Sequence, residues 1–464
     1  LRQNRAASIS WGSMRTHLAK TRHVALVHGL LGWGPGQLVL PSGAVSYWET
    51  AVDSRTDTSG LTVLEAGVGP ISSQHDRACE LYAQLRGCRT DYGEEHSALH
   101  GHERWGPDFT GRGLHPDWCA EQPIHLVGHS AGGNTSRTLQ RLLADDFWSE
   151  GTESNWVTSV TCLASPLNGS PAVYMFGCDE ATGLFRWPRM LNVFSRLLPR
   201  NWILEHWGLS DTDVAYPSRL RSSGIFAGTD NLAYDLSIQG CSRINYSGFL
   251  DDFLSTYYLS CVAKCTAPGT SCSNCATPSR DCRSFFLPSC RYMCSRRVRI
   301  KHRNHSTDAD HRLHQEFYRP DLDLDWCHND GLVPIASQRY PIGGSHSIGG
   351  ELSSEQPEQG RWYYTNATDL AGVQPNLSWD HADFTVLRSP LLSLAFPANS
   401  SICRFLRCGR KGSLAPARAP LKDAELNTNE KSDPDADAES GGTVTRCMQR
   451  SFYERLYRHL SGLS

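Results

Sequence analysis

The residues Gly128-His129-Ser130-Ala131-Gly132 follow the apolar run Ile124-His125-Leu126-Val127 and lead into a pattern with Leu139, Leu142 and Leu143 at helical spacing. This is the arrangement of a nucleophile elbow, in which a sharp strand-to-helix turn holds a serine in a strained conformation above the sheet. Gly132 and Gly133 let the following helix lie close to the strand. A serine hydroxyl attacks a carbonyl only when a neighbouring base takes its proton and preorganised donors receive the developing oxyanion. The remaining chemistry-bearing residues can be searched for in those roles.

Near the N-terminus, His23-Val24-Ala25-Leu26-Val27 reads as a buried strand and His28-Gly29-Leu30-Leu31-Gly32-Trp33-Gly34 as the glycine-rich loop after it. The N–H groups of Leu30 and Ala131 are the candidate oxyanion donors, since such a hole pairs an early strand-to-helix loop with the residue after the nucleophile. An acid and a base should follow the serine in that order. His328-Asn329-Asp330-Gly331 offers the carboxylate and Asp380-His381-Ala382-Asp383 the imidazole, although spacing alone does not choose Asp330 over Asp321, Asp323 and Asp325.

These blocks resemble the thermoalkalophilic bacterial lipases and their lipase-like plant and algal relatives. The resemblance runs through Val27-His28-Gly29-Leu30-Leu31-Gly32-Trp33-Gly34, Asp76-Arg77-Ala78-Cys79-Glu80-Leu81, Asp91-Tyr92-Gly93-Glu94-Glu95-His96, the elbow, Pro166-Leu167-Asn168-Gly169-Ser170, Tyr234-Asp235-Leu236-Ser237, Thr256-Tyr257-Tyr258, Asn329-Asp330-Gly331 and Asp380-His381, in family order. It implies an α/β-hydrolase fold of the α/β class: a mostly parallel central sheet with helices on both faces, a zinc-binding extra subdomain and a helical lid. It makes Ser130 the nucleophile, His381 the general base and acid, and Asp330 the residue that orients the histidine.

The resemblance also implies a zinc ion held by Asp76, His96, His102 and Asp235. Two carboxylates and two imidazoles would close a tetrahedral shell with no open position, so the ion would be structural. His100 belongs to the same histidine-rich segment. A calcium site known in the family is not carried over, because Arg388 stands where one of its aspartates would be.

The elements that position these groups are expected in one hydrolase domain over residues 20–396, with a lid or cap region at 176–230 and a cysteine-rich insert at 261–300. Residues 188–199 place Met190, Leu191, Phe194, Leu197 and Leu198 on one helical face near Trp187, Trp202, Ile203 and Trp207, which favours a lid over an ordinary core helix. Residues 397–446 are poor in aromatics and read as a disordered linker. A helix over 447–464 is expected to return to the hydrolase core.

A net charge of −3 with no basic stripe argues against a nucleic-acid partner. No apolar run is long enough for a transmembrane segment, so contact with a lipid surface would be peripheral. Eight of seventeen cysteines lie between Cys241 and Cys294. They read as a disulfide-stapled insert, with a zinc knuckle on Cys272 and Cys275 as the rival.

Seven N-x-S/T sequons, at Asn134, Asn168, Asn245, Asn304, Asn366, Asn376 and Asn399, favour the secretory pathway and a glycoprotein, although Asn134 falls on the helix behind the nucleophile and is not a glycosylation site, and Asn168 falls in a loop the family shares, so the count overstates the case. No signal peptide is visible in the chain. The expected activity is cleavage of carboxylic esters, acylglycerols first, through an acyl-enzyme. An esterase or acyltransferase on another acyl substrate is the alternative, with a non-catalytic scaffold as a third reading.

Overall fold

The computed structural model describes residues 22–40, 43–53, 60–185, 228–246, 253–269, 276–294, 324–342, 347–352, 357–373, 377–385, 444 and 446–463. The lid segment 188–199, Arg388 and most of the linker 397–446 lie outside the described residues.

Seven strands form one sheet: β1 (His23–Val27), β2 (Thr62–Ala66), β3 (Ile124–His129), β4 (Val157–Leu163), β5 (Tyr257–Val262), β6 (Ile348–Glu351) and β7 (Trp362–Asn366). Their order is β6-β7-β5-β4-β3-β1-β2, and every described pairing is parallel. Parallel strands are covered on both faces, which is why β1 and β3 are apolar runs rather than alternating ones. Val24 and Leu26 face one core with the C-terminal helix, while Ala25, Ile124 and Leu126 face the other. This is the α/β-hydrolase architecture.

The chain leaves β1 toward β2 on one side and returns as β3 on the other. Crevices at such a reversal, beyond the strand C-termini, are where open α/β sheets place their ligand sites. Helix α1 (Gln74–Arg86) and helix α2 (Ala131–Ala144) pack together on one face. Helix α3 (Arg446–Ser461) buries Phe452, Tyr453, Leu456, Tyr457 and Leu460 on the other, against Trp379 and Phe384, which flank His381 in the chain.

Burial removes three of the glycosylation candidates. Asn134, Asn168 and Asn245 are buried, and their side-chain amides bond to backbone carbonyls. Asn366 is exposed.

Candidate active site and metal group

Ser130 terminates β3 and caps α2 with φ 55° and ψ −126°, a left-handed conformation that a non-glycine residue adopts only under constraint. The constraint is steric closeness around it. A Cβ on Gly132 would stand 2.0 Å from the Val27 carbonyl oxygen, and one on Gly128 would stand 2.2 Å from the Gly132 backbone. Both positions therefore require glycine for helix and strand to approach. Gly29 shows the same limit from the β1 loop, since its Cβ would lie 2.6 Å from Ser130 Cβ. The loop bearing Leu30 is thus pressed against the serine. Ala131 opens α2, so its N–H is among the first-turn donors that no helix carbonyl can take.

Asp330 and His381, which the resemblance names as acid and base, lie within hydrogen-bond reach of each other. His381 Nδ1 donates to Asp330 Oδ2 at 2.8 Å, and His381 N–H donates to the Asp330 carbonyl at 2.9 Å. Asp330 Oδ1 accepts the N–H groups of Leu332 and Val333 at 2.9 and 2.7 Å, in a turn where Gly331 has φ 104°. Both carboxylate oxygens are occupied, so the ring orientation of His381 is defined. Asp321 and Asp323, and the side chain of Asp325, lie outside the described residues.

Ser130, His381 and the loop bearing Leu30 are connected through two residues outside the proposed roles, His129 and Tyr47. His129 is buried beside Ser130, and its ring lies 4.8 Å from that of His381. Its Nε2 donates to the His381 carbonyl at 2.9 Å, which leaves Nδ1 to accept from the Tyr47 hydroxyl at 2.6 Å. The Tyr47 oxygen in turn accepts the Gly29 N–H at 3.4 Å. Burial holds His129 well below the ordinary histidine range and Tyr47 well above the ordinary tyrosine range, so both are neutral. His129 lies inside the G-x-S-x-G motif and could have been suspected. Nothing in the sequence marks Tyr47.

Arg77 is also fully buried. Its guanidinium donates to the carbonyls of His28 and Gly69 and to Thr135 Oγ1, tying the β1 loop to the next loop and to α2. Burial lowers it to about 10, and the guanidinium remains a cation at neutral pH.

A second group lies at the start of α1. His96 Nε2 stands 3.2 Å from Asp76 Oδ1 and 3.3 Å from Asp230 Oδ1; His102 Nε2 stands 3.3 Å from Asp230 Oδ2 and 3.8 Å from Asp76 Oδ1. Donors held about 2.0–2.1 Å from one tetrahedral ion would be about 3.3 Å apart. The buried Nε2 atoms of both histidines and Asp230 Oδ2 have no hydrogen-bond partner. His102 Nδ1 donates to the Glu103 carbonyl at 2.8 Å, which fixes the tautomer that leaves Nε2 a lone pair. The donor set fits a metal ion.

Asp235 is not in this group, and Asp230 takes the place expected of it. The reason is local. Asp230 precedes the Asn231 cap of the short helix Leu232–Asp235 and turns toward the histidines, while Asp235, at the far end of that turn, accepts the Gln74 N–H at 2.7 Å. Asp235 therefore serves the N-terminus of α1 as a hydrogen-bond acceptor. Its neighbourhood of Tyr234-Asp235 in the motif concealed the acidic residue five positions earlier. The His100 ring lies tilted beside that of His96, 4.6 Å away between centroids, without joining the group.

Cys265, Cys282 and Cys290 converge in one buried group.

Residues 20–274 match the model of the family described as lipase-like, C-terminal domain. Lipase 2 of Staphylococcus aureus is 29% identical over 387 residues, 78% of this chain and 50% of that protein. This chain thus spans about half the length of the curated relatives it matches. Staphylococcus hyicus lipase superposes with a TM-score of 0.60 at 22% identity, covering 85% of this chain and 98% of that one. Lipase 1 of Pelosinus fermentans superposes with a TM-score of 0.55 at 28% identity, covering 78% and 93%. No helix among the described residues is long and apolar enough to cross a membrane. With the sheet and the Ser130 elbow in place and the family model matched over more than half of its length, this chain belongs to the lipase-like family.

Proposed function

We propose that this protein is a serine carboxylic-ester hydrolase that cleaves acylglycerols, as a triacylglycerol lipase, through an acyl-enzyme. Ser130 Oγ attacks the ester carbonyl while its proton passes to His381 Nε2, and Asp330 stabilises the imidazolium. The Leu30 and Ala131 N–H groups receive the oxyanion. The leaving alcohol takes the proton from His381, water attacks the acyl-serine with His381 again as base, and the fatty acid departs. The observation that carries the reading is the 2.8 Å bond from His381 Nδ1 to Asp330 Oδ2 beside a serine held at φ 55°.

Asp76, His96, His102 and Asp230 would hold a zinc ion whose contribution is structural, since four protein donors leave no site for an activated water. It would fasten the segment 94–108 to the start of α1. A secreted enzyme working at a lipid–water surface, with sugar on Asn366, fits this reading.

The test is labelling of the folded protein with a fluorophosphonate probe, with Ser130→Ala as control. Modification of wild type alone is expected; an unlabelled wild type would remove the catalytic reading in favour of a scaffold. Rates on a series of p-nitrophenyl esters and on emulsified triglyceride then identify the substrate. A preference for short soluble esters, with no gain on the emulsion, would replace the lipase with an esterase. Elemental analysis finding no zinc would remove the metal assignment.

A further inference from the structure

The described part of the cysteine-rich insert packs on the acid and the base. Cys265 N–H donates to the Asn329 carbonyl at 2.9 Å, and Ser289 Oγ to the Gly331 carbonyl at 2.6 Å, on either side of Asp330. Arg283 pairs with Asp380 and Asp383, which flank His381, and Phe286 fills the space above Gly331. The insert thus holds both loops of the acid–base pair.

Within it, the Sγ atoms of Cys265, Cys282 and Cys290 lie within 4.8 Å of one another, and all three residues are buried. They come from three pieces of chain: the loop after β5, a turn, and the helix Leu287–Cys294. Cys294, one turn beyond Cys290 on that helix, interacts with it and accepts from Asn329 Nδ2 at 3.5 Å. A tetrahedral ion at about 2.3 Å from each thiolate places the sulfurs about 3.8 Å apart, inside the observed spread.

We propose that Cys265, Cys282 and Cys290 form a three-thiolate site for a borderline-soft divalent cation, zinc in the first place. Each thiol releases its proton as the ion binds. This site is distinct from the oxygen and nitrogen group at Asp76, and it stands whether or not Ser130 is a nucleophile. Its consequence is mechanical: one ion pins together the insert that grips the Asp330 loop and the His381 turn.

The experiment uses the full chain with its cations exchanged for cobalt(II). Wild type is expected to show a near-ultraviolet thiolate-to-cobalt charge-transfer band, which the Asp76 group has no sulfur to produce, and Cys282→Ser and Cys290→Ser are each expected to lose it. Zinc analysis should show one equivalent fewer in those variants than in wild type. Thiol alkylation of native protein without reductant should spare these cysteines until a chelator is added. A wild type with no charge-transfer band overturns the proposal whatever the variants do. So does peptide mapping that finds Cys265, Cys282 or Cys290 in a disulfide.

Discussion

The elbow at Ser130 and the donor group at Asp76 differ in how they are held. The elbow is built from contiguous residues whose geometry is enforced by backbone contacts, with Gly128 and Gly132 against their neighbours and Ser130 N–H on the Leu163 carbonyl at 2.8 Å. The donor group draws side chains from three separated segments, and which acid completes it depends on the direction of one short helix. A site made by the chain's own turn is specified locally. A site made by convergence is specified only when the segments are packed.

The largest effects should come from the elbow and its partners. Ser130→Ala and Asp330→Asn are each expected to lower kcat by about 10⁴-fold or more on any ester the enzyme accepts, with the melting temperature of Ser130→Ala little changed. A loss confined to KM would break the assignment.

The second measurement contrasts the two acids near the histidines. Asp230→Asn should remove the zinc equivalent of the Asp76 group and lower the melting temperature, whereas Asp235→Ala should keep that ion and cost about 1 kcal/mol as a lost acceptor for the Gln74 N–H. The opposite result would restore Asp235 as the ligand and overturn the distinction between the two kinds of site.

A third outcome concerns acid. His125 in β3 is buried, bonds Ser159 Oγ at 2.8 Å through Nδ1 and has no partner for Nε2, and burial lowers it to about 3. The unfolded chain takes up this proton below about pH 6.5 and the folded chain does not, so stability falls as pH falls through that window. Between pH 6.5 and 5 the loss from His125 is about 2 kcal/mol. Denaturant melts of His125→Asn should show a shallower decline than wild type; identical slopes would mean that the folded protein can charge this ring.

The smallest effect is expected at Tyr47→Phe. It leaves Gly29 N–H and His129 Nδ1 without their shared hydroxyl, which costs about 1–2 kcal/mol in stability. A several-fold fall in kcat with KM unchanged would show the relay aligning base and oxyanion loop. A change in KM alone would make Tyr47 part of the substrate pocket instead.

Much of this was legible in the order of residues. The elbow pattern carries its own strand and helix, and the resemblance singled out Asp330 and His381, which the fold joins by a hydrogen bond across 51 positions. His129 and Arg77 lie inside recognisable motifs, but their roles are not local. A buried histidine bonding the carbonyl of His381 and a buried arginine bridging two loops depend on partners hundreds and tens of positions away. Tyr47 and Asp230 lie outside every motif and have no local signature. The cysteine spacing suggested staples, but distance along the chain does not say whether sulfurs meet in pairs or as a group.

The sequence by itself determined the strands before the Leu30 loop and before Ser130 and the elbow that ends the second, because strand pattern, glycine placement and turn strain are local properties of adjacent residues. Tertiary structure alone decided that Asp230 rather than Asp235 faces the histidines, that Tyr47 and His129 tie base to oxyanion loop, and that three thiols converge behind Asp330. Those outcomes depend on the relative orientation of packed segments, and a shift of one helical turn redirects a side chain without altering any local pattern.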